Sequence, residues 1–251
     1  MKRELKEVKV ELNVVQITTI DERWYHILDR FVPSSTWIAG YYPKGIAFYK
    51  WLADKGWDEA EAIKSAAGDK GSKVHSAISQ LLKGGQLKMD DRFLNPSTNI
   101  QEELSVDEWD AIVSFQSWWE ETKPSKILKM DATVYNEKEN YAGTLDLLCQ
   151  IENEIWLIDF KTSQYIWPEH ELQLSSYLHA LSQPAKMAIL QIGYKRNKNR
   201  FKFTEIEDKF NLFLAAKQIW TNECAGEKPS QKDYPLTLKL TIKGETDAKD
   251  Q

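Results

Sequence analysis

The chain has 251 residues, 42% of them hydrophobic and 28% charged, with a formal net charge of -5, enough for a sizeable core in one elaborated domain or in a domain with a helical extension. It contains no apolar run of about eighteen residues that would span a membrane, and its two cysteines, Cys149 and Cys224, are too few for a disulfide framework or an iron–sulfur site. Net acidity argues against a general nucleic-acid coating protein, which needs Lys and Arg against phosphate, but allows an acidic pocket with a local basic rim.

Residues 1–20 mix acids with bases and lack both an apolar h-region and an Arg-rich, acid-poor transit pattern, so the expected location is the cytoplasm. Val8, Val10, Leu12 and Val14 alternate as in a strand, and a hairpin is expected from Arg23 to Val32. Pro33-Ser34-Ser35-Thr36 signals a helix start, and Gly45 to Gly84 reads as helices punctuated by Gly56, Gly68 and Gly71. A polar loop follows to Pro96. Ser105-Val106-Asp107-Glu108 is a capping box opening a helix that ends before Pro124. Strands are expected over 127–135, 142–151 and 155–161, a helix over 169–181, strands over 186–194 and 200–206, and a helix over 208–223. The end carries one alternating stretch (Leu236, Leu238, Leu240, Ile242) and a charged tail. The pattern predicts an α/β protein with an N-terminal strand, hairpin and helical region (1–125), a core (126–224) and a C-terminal strand and tail (225–251).

An acid followed two residues later by lysine is weak evidence alone, since Glu4 to Lys6, Glu7 to Lys9, Glu121 to Lys123 and Asp247 to Lys249 share it. Asp159-Phe160-Lys161 differs because it ends a continuous apolar strand, Ile155-Trp156-Leu157-Ile158. Period two puts Asp159 and Lys161 on one face. If Glu152-Asn153 is a two-residue turn, Ile151 opposes Glu154 and the antiparallel count brings Asp146 opposite Asp159. Two converging carboxylates repel unless a cation lies between them, so oxygen-held Mg²⁺ or Mn²⁺ completes the set, and Lys161 beside them suits phosphoryl chemistry. A buried salt bridge among the three residues is the alternative.

Gln173 and Tyr177 fall four apart on one helix face, where both could bond a phosphate backbone or be ordinary half-buried residues. Lys195 and Arg196, within Tyr194 to Arg200, offer a basic rim or a solvated hairpin tip. Of the adjacent Trp118 and Trp119, at most one lies squarely on its helix's buried face; the other, or Trp167, is the better base-stacking candidate.

Gly143-Thr144-Leu145-Asp146, Asp159-Phe160-Lys161-Thr162 and Gln173 to Tyr177, in that order, resemble the PD-(D/E)XK nucleases of the RecB-like branch. Upstream, Gly71-Ser72-Lys73-Val74-His75 resembles the helical histidine motif, and Tyr42 to Gly45 with Lys50 to Ala53 resembles phage-type exonucleases and the mitochondrial genome maintenance exonuclease group. The resemblance covers about Pro33 to Leu181 and lacks the branch's iron–sulfur cysteines. It implies a restriction-endonuclease-like core, a mixed sheet flanked by helices, with an N-terminal helical extension. By the same resemblance Asp146, Asp159 and Lys161 are catalytic, and His75 and the Phe160 carbonyl join Asp146 and Asp159 as ligands of Mg²⁺ or Mn²⁺. His75 read alone would sit equally well as a structural residue at a helix–sheet boundary. Asp131 matches a position where many relatives have Glu; the shorter carboxylate binds metal through water, or Glu120 substitutes. Thr162, Gln173, Tyr177, Lys195 and Arg196 become DNA-contact candidates. The implied activity is hydrolysis of DNA, at ends with single-stranded character, in recombination, repair or replication with partner proteins of those processes. The alternatives are a flap endonuclease or a non-catalytic accessory subunit of a recombination or CRISPR-adaptation complex.

Overall fold

The computed structural model describes residues 14–18, 22–224, 226 and 228–229. Val8, Val10 and Leu12, and the stretch Leu236, Leu238, Leu240 and Ile242 with its tail, lie outside the described residues.

Strands β1 (Val15–Thr18), β2 (Arg23–Ile27) and β3 (Arg30–Pro33) pair in order as a small antiparallel sheet. Leu28 and Asp29, at φ 49° and 62°, make the left-handed pair of a two-residue hairpin turn. The Ser34 hydroxyl then accepts the Trp37 N–H and caps α1 (Ser35–Ala39). After α2 (Ile46–Lys55), Gly56 at φ 76° breaks the chain before α3 (Trp57–Leu82).

Gly68 and Gly71 do not interrupt the helical region; both lie inside the 26-residue α3. A helical glycine costs about 1 kcal/mol relative to alanine. The fully buried stripe Val74, Ala77 and Ile78 outweighs that cost. The expected polar loop after Gly84 is shorter than foreseen, because β4 (Arg92–Asn95) begins within it and pairs with β5 (Ile100–Glu103). Phe93 is the one buried residue of β4, so no apolar alternation betrayed the strand. The hairpin is held on α3 by Ser97, whose hydroxyl donates to Asp69 at 2.8 Å, and by Lys73 to Glu102 at 3.3 Å.

The capping box of Ser105 and Glu108 forms as expected and opens α4 (Val106–Thr122), which stops at left-handed Lys123 before Pro124. The central sheet contains β6 (Lys126–Asn136), β7 (Tyr141–Ile151), β8 (Glu154–Lys161), β9 (Lys186–Ile192) and β10 (Phe201–Ile206), in the order β10-β9-β8-β7-β6. Only β8 and β9 are parallel, joined by a crossover through α5 (Pro168–Ala180). The last described helix is α6 (Phe210–Glu223).

On one sheet face, α3 and α4 bury Val74, Ile78, Phe115 and Trp118 against Leu147, Ile158, Leu190 and Ile192. On the other, α5 buries Leu174 and Tyr177 against Leu145, Leu148, Leu157 and Ile189. Phe213 and Trp220 of α6 pack with Trp24, Ile38 and Tyr141, tying the N-terminal elements to the sheet. The architecture is mixed α/β, a five-stranded central sheet with six helices among the described residues. None of the helices in these residues is long and apolar enough to cross a membrane.

Candidate active site

The β7–β8 hairpin turns at Glu152-Asn153, with Glu152 at φ 55° and Ile151 opposite Glu154, as the two-residue turn requires. The ladder then runs to Leu147 opposite Ile158 and stops one step short of Asp146 and Asp159. The two aspartates are therefore not a ladder pair: the Asp146 carboxylate takes a backbone donor itself, its Oδ2 accepting the Phe160 N–H at 2.7 Å.

The neighbouring strand is irregular at the same level. Met130 pairs with Leu147 and Ala132 with Leu145, while Asp131 between them has φ 46°, left-handed for a non-glycine residue. Met130 and Leu147 pack toward α3 and α4, yet Ala132 and Leu145, two residues along, pack toward α5. The ordinary period of two thus breaks at both Asp131 and Asp146. The register sets Asp131, Asp146 and Asp159 in one row across β6, β7 and β8.

Helix α3 meets this row with two side chains one turn apart. His75 Nδ1 is 3.1 Å from Asp146 Oδ1, and its Nε2 is 3.0 Å from the Phe160 carbonyl oxygen. Ser79 donates to Asp131 Oδ2, and Lys83 Nζ lies 3.5 Å from the same oxygen. Glu120 does not replace Asp131: it accepts from Gln116 on the exposed side of α4 and is absent from the cleft wall.

Burial alone would lower the His75 pKa, but the Asp146 charge and hydrogen bond outweigh it and hold it above the usual histidine range. Both ring nitrogens face acceptors, and only the imidazolium can donate to both. Burial alone would raise Asp146; His75, Lys161 and the Phe160 N–H together hold it below the ordinary carboxylate range. Asp159 is pushed up to about 6, by burial first and then, against the pull of Lys161, by Asp146. Lys161 Nζ stands 2.5 Å from Asp159 Oδ2, a close ion pair with a buried carboxylate.

From α5, Gln173 Nε2 donates to the Tyr177 hydroxyl at 2.5 Å and to Thr36 Oγ1 at 3.1 Å. Tyr177 is not on an open polar face: it is 2% exposed and packs with Leu174. Its ring fills the space over Gly143, where a Cβ would fall inside the ring's van der Waals envelope. The Gly-x-x-Asp and Gln-x-x-x-Tyr segments therefore touch.

An open cleft of about 640 Å³ is walled by His75, Asp131, Asp146, Asp159, Lys161, Gln173 and Tyr177. It also takes in Arg23, Thr36 and His170, which sequence reasoning missed. Arg23 and Thr36 come from distant elements with no motif to mark them. Burial pushes His170 down to about 3, helped by Lys161 and Lys44, so a neutral imidazole borders the cleft at neutral pH.

Thr162, Lys195 and Arg196 are not among the cleft-lining residues. Lys195 lies 3.4 Å from Asp107, and Arg196 stacks on Tyr165 with Cζ 4.4 Å from the ring centroid. Trp118 is buried, and Trp119 packs against the same core beside Phe115, which leaves Trp167, half exposed, as the stacking candidate of the three. Cys149 lies buried in the α3 and α4 layer, an apolar position as expected.

Among the described residues, no three His, Cys, Asp or Glu side chains stand as a ready metal cage. The donor set nonetheless suits a hard divalent ion: two carboxylates and an imidazole at one cleft, with the carbonyl oxygen that the imidazole contacts. No family model matches this chain, and no curated protein matches it significantly.

Proposed function

We propose that the chain is a metal-dependent DNA nuclease of the PD-(D/E)XK superfamily, RecB-like branch, with a restriction-endonuclease-like core. The observation that carries this reading is the convergence of Asp146, Asp159, Lys161 and His75 in one open cleft, with Lys161 paired to the buried Asp159 carboxylate. A purely structural ion pair would gain most by closing off water. Here the cleft is open and large enough for a phosphodiester and its flanking sugars.

Asp146, Asp159, His75 and the Phe160 carbonyl would hold Mg²⁺ or Mn²⁺, with His75 giving up one of its present contacts to do so. Bound there, the ion would polarise the scissile phosphate and acidify an attacking water. Asp146 is ionised and ready to receive it, and a cation would relieve the repulsion that raises Asp159. Lys161, anchored by Asp159, presents its ammonium to the charge that develops on the phosphoryl oxygens. Gln173, fixed by Tyr177 and Thr36, and Arg23 on the facing β2 orient the strand. Asp131, tied to Ser79 and Lys83 at the cleft's edge, is placed to act through water.

The test is incubation of the protein with end-labelled single- and double-stranded DNA in Mg²⁺, in Mn²⁺ and in chelator. The expected result is degradation only with metal, and of linear more than circular single strands, as befits an end-dependent enzyme. Intact DNA under every condition would overturn the proposal.

A further inference from the structure

We propose that Tyr165, Trp167 and Arg196 form a stacking platform for unpaired bases beside the cleft, which makes single-stranded DNA the preferred substrate. This deepens the nuclease reading above and rests on it.

Residues 162–167 link Lys161 to Glu169 and His170, and all three of those side chains line the cleft, so the loop is flanked by the site at both ends. Tyr165 and Trp167 are 54% and 50% exposed, with ring centroids 5.7 Å apart and planes 38° apart. Arg196 lies over Tyr165 from the β9–β10 turn. Large rings left in water on a loop gain nothing for folding.

The loop is nevertheless pinned. Buried Gln191 donates to the Ser163 carbonyl at 2.9 Å, Gln164 Nε2 donates to the Gly193 carbonyl at 2.9 Å, and the Lys195 N–H donates to Gln164 Oε1 at 2.8 Å. These bonds fix the backbone and leave the rings outward, a preorganised surface that costs little ordering on binding. Aromatic faces with a guanidinium match bases whose faces are open and whose phosphates lie close. In a duplex those faces are already stacked on neighbouring bases, so the platform discriminates against it.

The experiment measures anisotropy of a labelled oligothymidylate of about 15 nucleotides, alone and annealed to its complement, with the full chain in chelator so that no cleavage intervenes. Wild type is compared with Tyr165→Ala, Trp167→Ala and Trp167→Phe. Each alanine is expected to weaken single-strand binding by about tenfold and leave duplex binding unchanged, while Trp167→Phe stays within about threefold of wild type. Alanine variants that bind single strands as wild type does would overturn the platform, and so would a wild type that does not bind the oligonucleotide. A parallel Mn²⁺ cleavage assay separates the two readings. Cleavage with unaltered binding and KM in Trp167→Ala sinks the platform and spares the nuclease. Trp167-dependent binding with no cleavage of any DNA sinks the nuclease and spares the platform.

Discussion

Gly143 and Tyr177 occupy one space, and that contact links the aspartate strand to the α5 wall. A methyl group at Gly143 must displace a ring that is 2% exposed and whose hydroxyl Gln173 holds. Gly143→Ala is therefore expected to destabilise the protein by about 1 to 3 kcal/mol, the range for overpacking a filled core. Chemical denaturation would measure it, and Gly143→Ala combined with Tyr177→Leu should recover part of the loss. An undisturbed Gly143→Ala protein would show that the ring yields freely. The cysteines give a second reading at this scale. Burial pushes the Cys149 thiol up to about 12, so at pH 8 on the order of one molecule in 10⁴ carries the thiolate. An aromatic disulfide reagent should titrate Cys224, which is partly exposed, in the native protein and Cys149 only after unfolding; two rapid reactions would contradict the burial. The family resemblance marked Gly143 as part of a motif with Asp146, but not why a glycine stands there. The reason is a ring on another helix.

Elements were legible where their signals are local. The capping box at Ser105 and Glu108 and the turn at Glu152-Asn153 both formed where the residue types required them. The parity of that turn led correctly to neighbouring strands for Asp146 and Asp159, but not to the end of the ladder, because a side-chain carboxylate competes with the backbone for the Phe160 N–H. Local signals failed for β4 and β5, which are short, carry little apolar alternation and depend on α3 for their position. What joins α3 to α4 is also nonlocal. Lys73, 7% exposed, lies 3.0 Å from Glu108, itself 3% exposed, and 3.3 Å from Glu102. Glu108 is thus both the reciprocal partner of the helix cap and the counter-ion of a buried lysine. Glu108→Ala should cost about 3 kcal/mol, since it leaves a buried charge poorly paired, and lower Tm by roughly 10 °C for a chain of this size. Thermal melting checks it, and a Tm within a degree or so of wild type would mean that Glu102 compensates alone.

At the scale of the whole molecule, the cleft is assembled from β1, β2, α1, α3, β6, β7, β8 and α5, which no single segment of sequence announces. Asp159 and Lys161 were legible as charges that end an apolar strand, and Asp146 through the parity of the turn that joins β7 to β8. Arg23, Thr36 and His170 were not, because each is an ordinary residue until the hairpin, the short helix and the crossover converge. The basic turn at Lys195 and Arg196 was legible as a patch, yet its placement beside Tyr165 rather than in the cleft emerged only from the packed chain. The central claim is that this assembly hydrolyses phosphodiesters through Lys161 and the two aspartates. It is tested most directly by single-turnover cleavage of end-labelled single-stranded DNA in Mn²⁺, comparing wild type with Lys161→Ala at matched melting temperature. The expected loss is at least about 10²-fold in rate, the scale set by removing one preorganised charge-stabilising donor. A folded Lys161→Ala protein that cuts at the wild-type rate would contradict the claim.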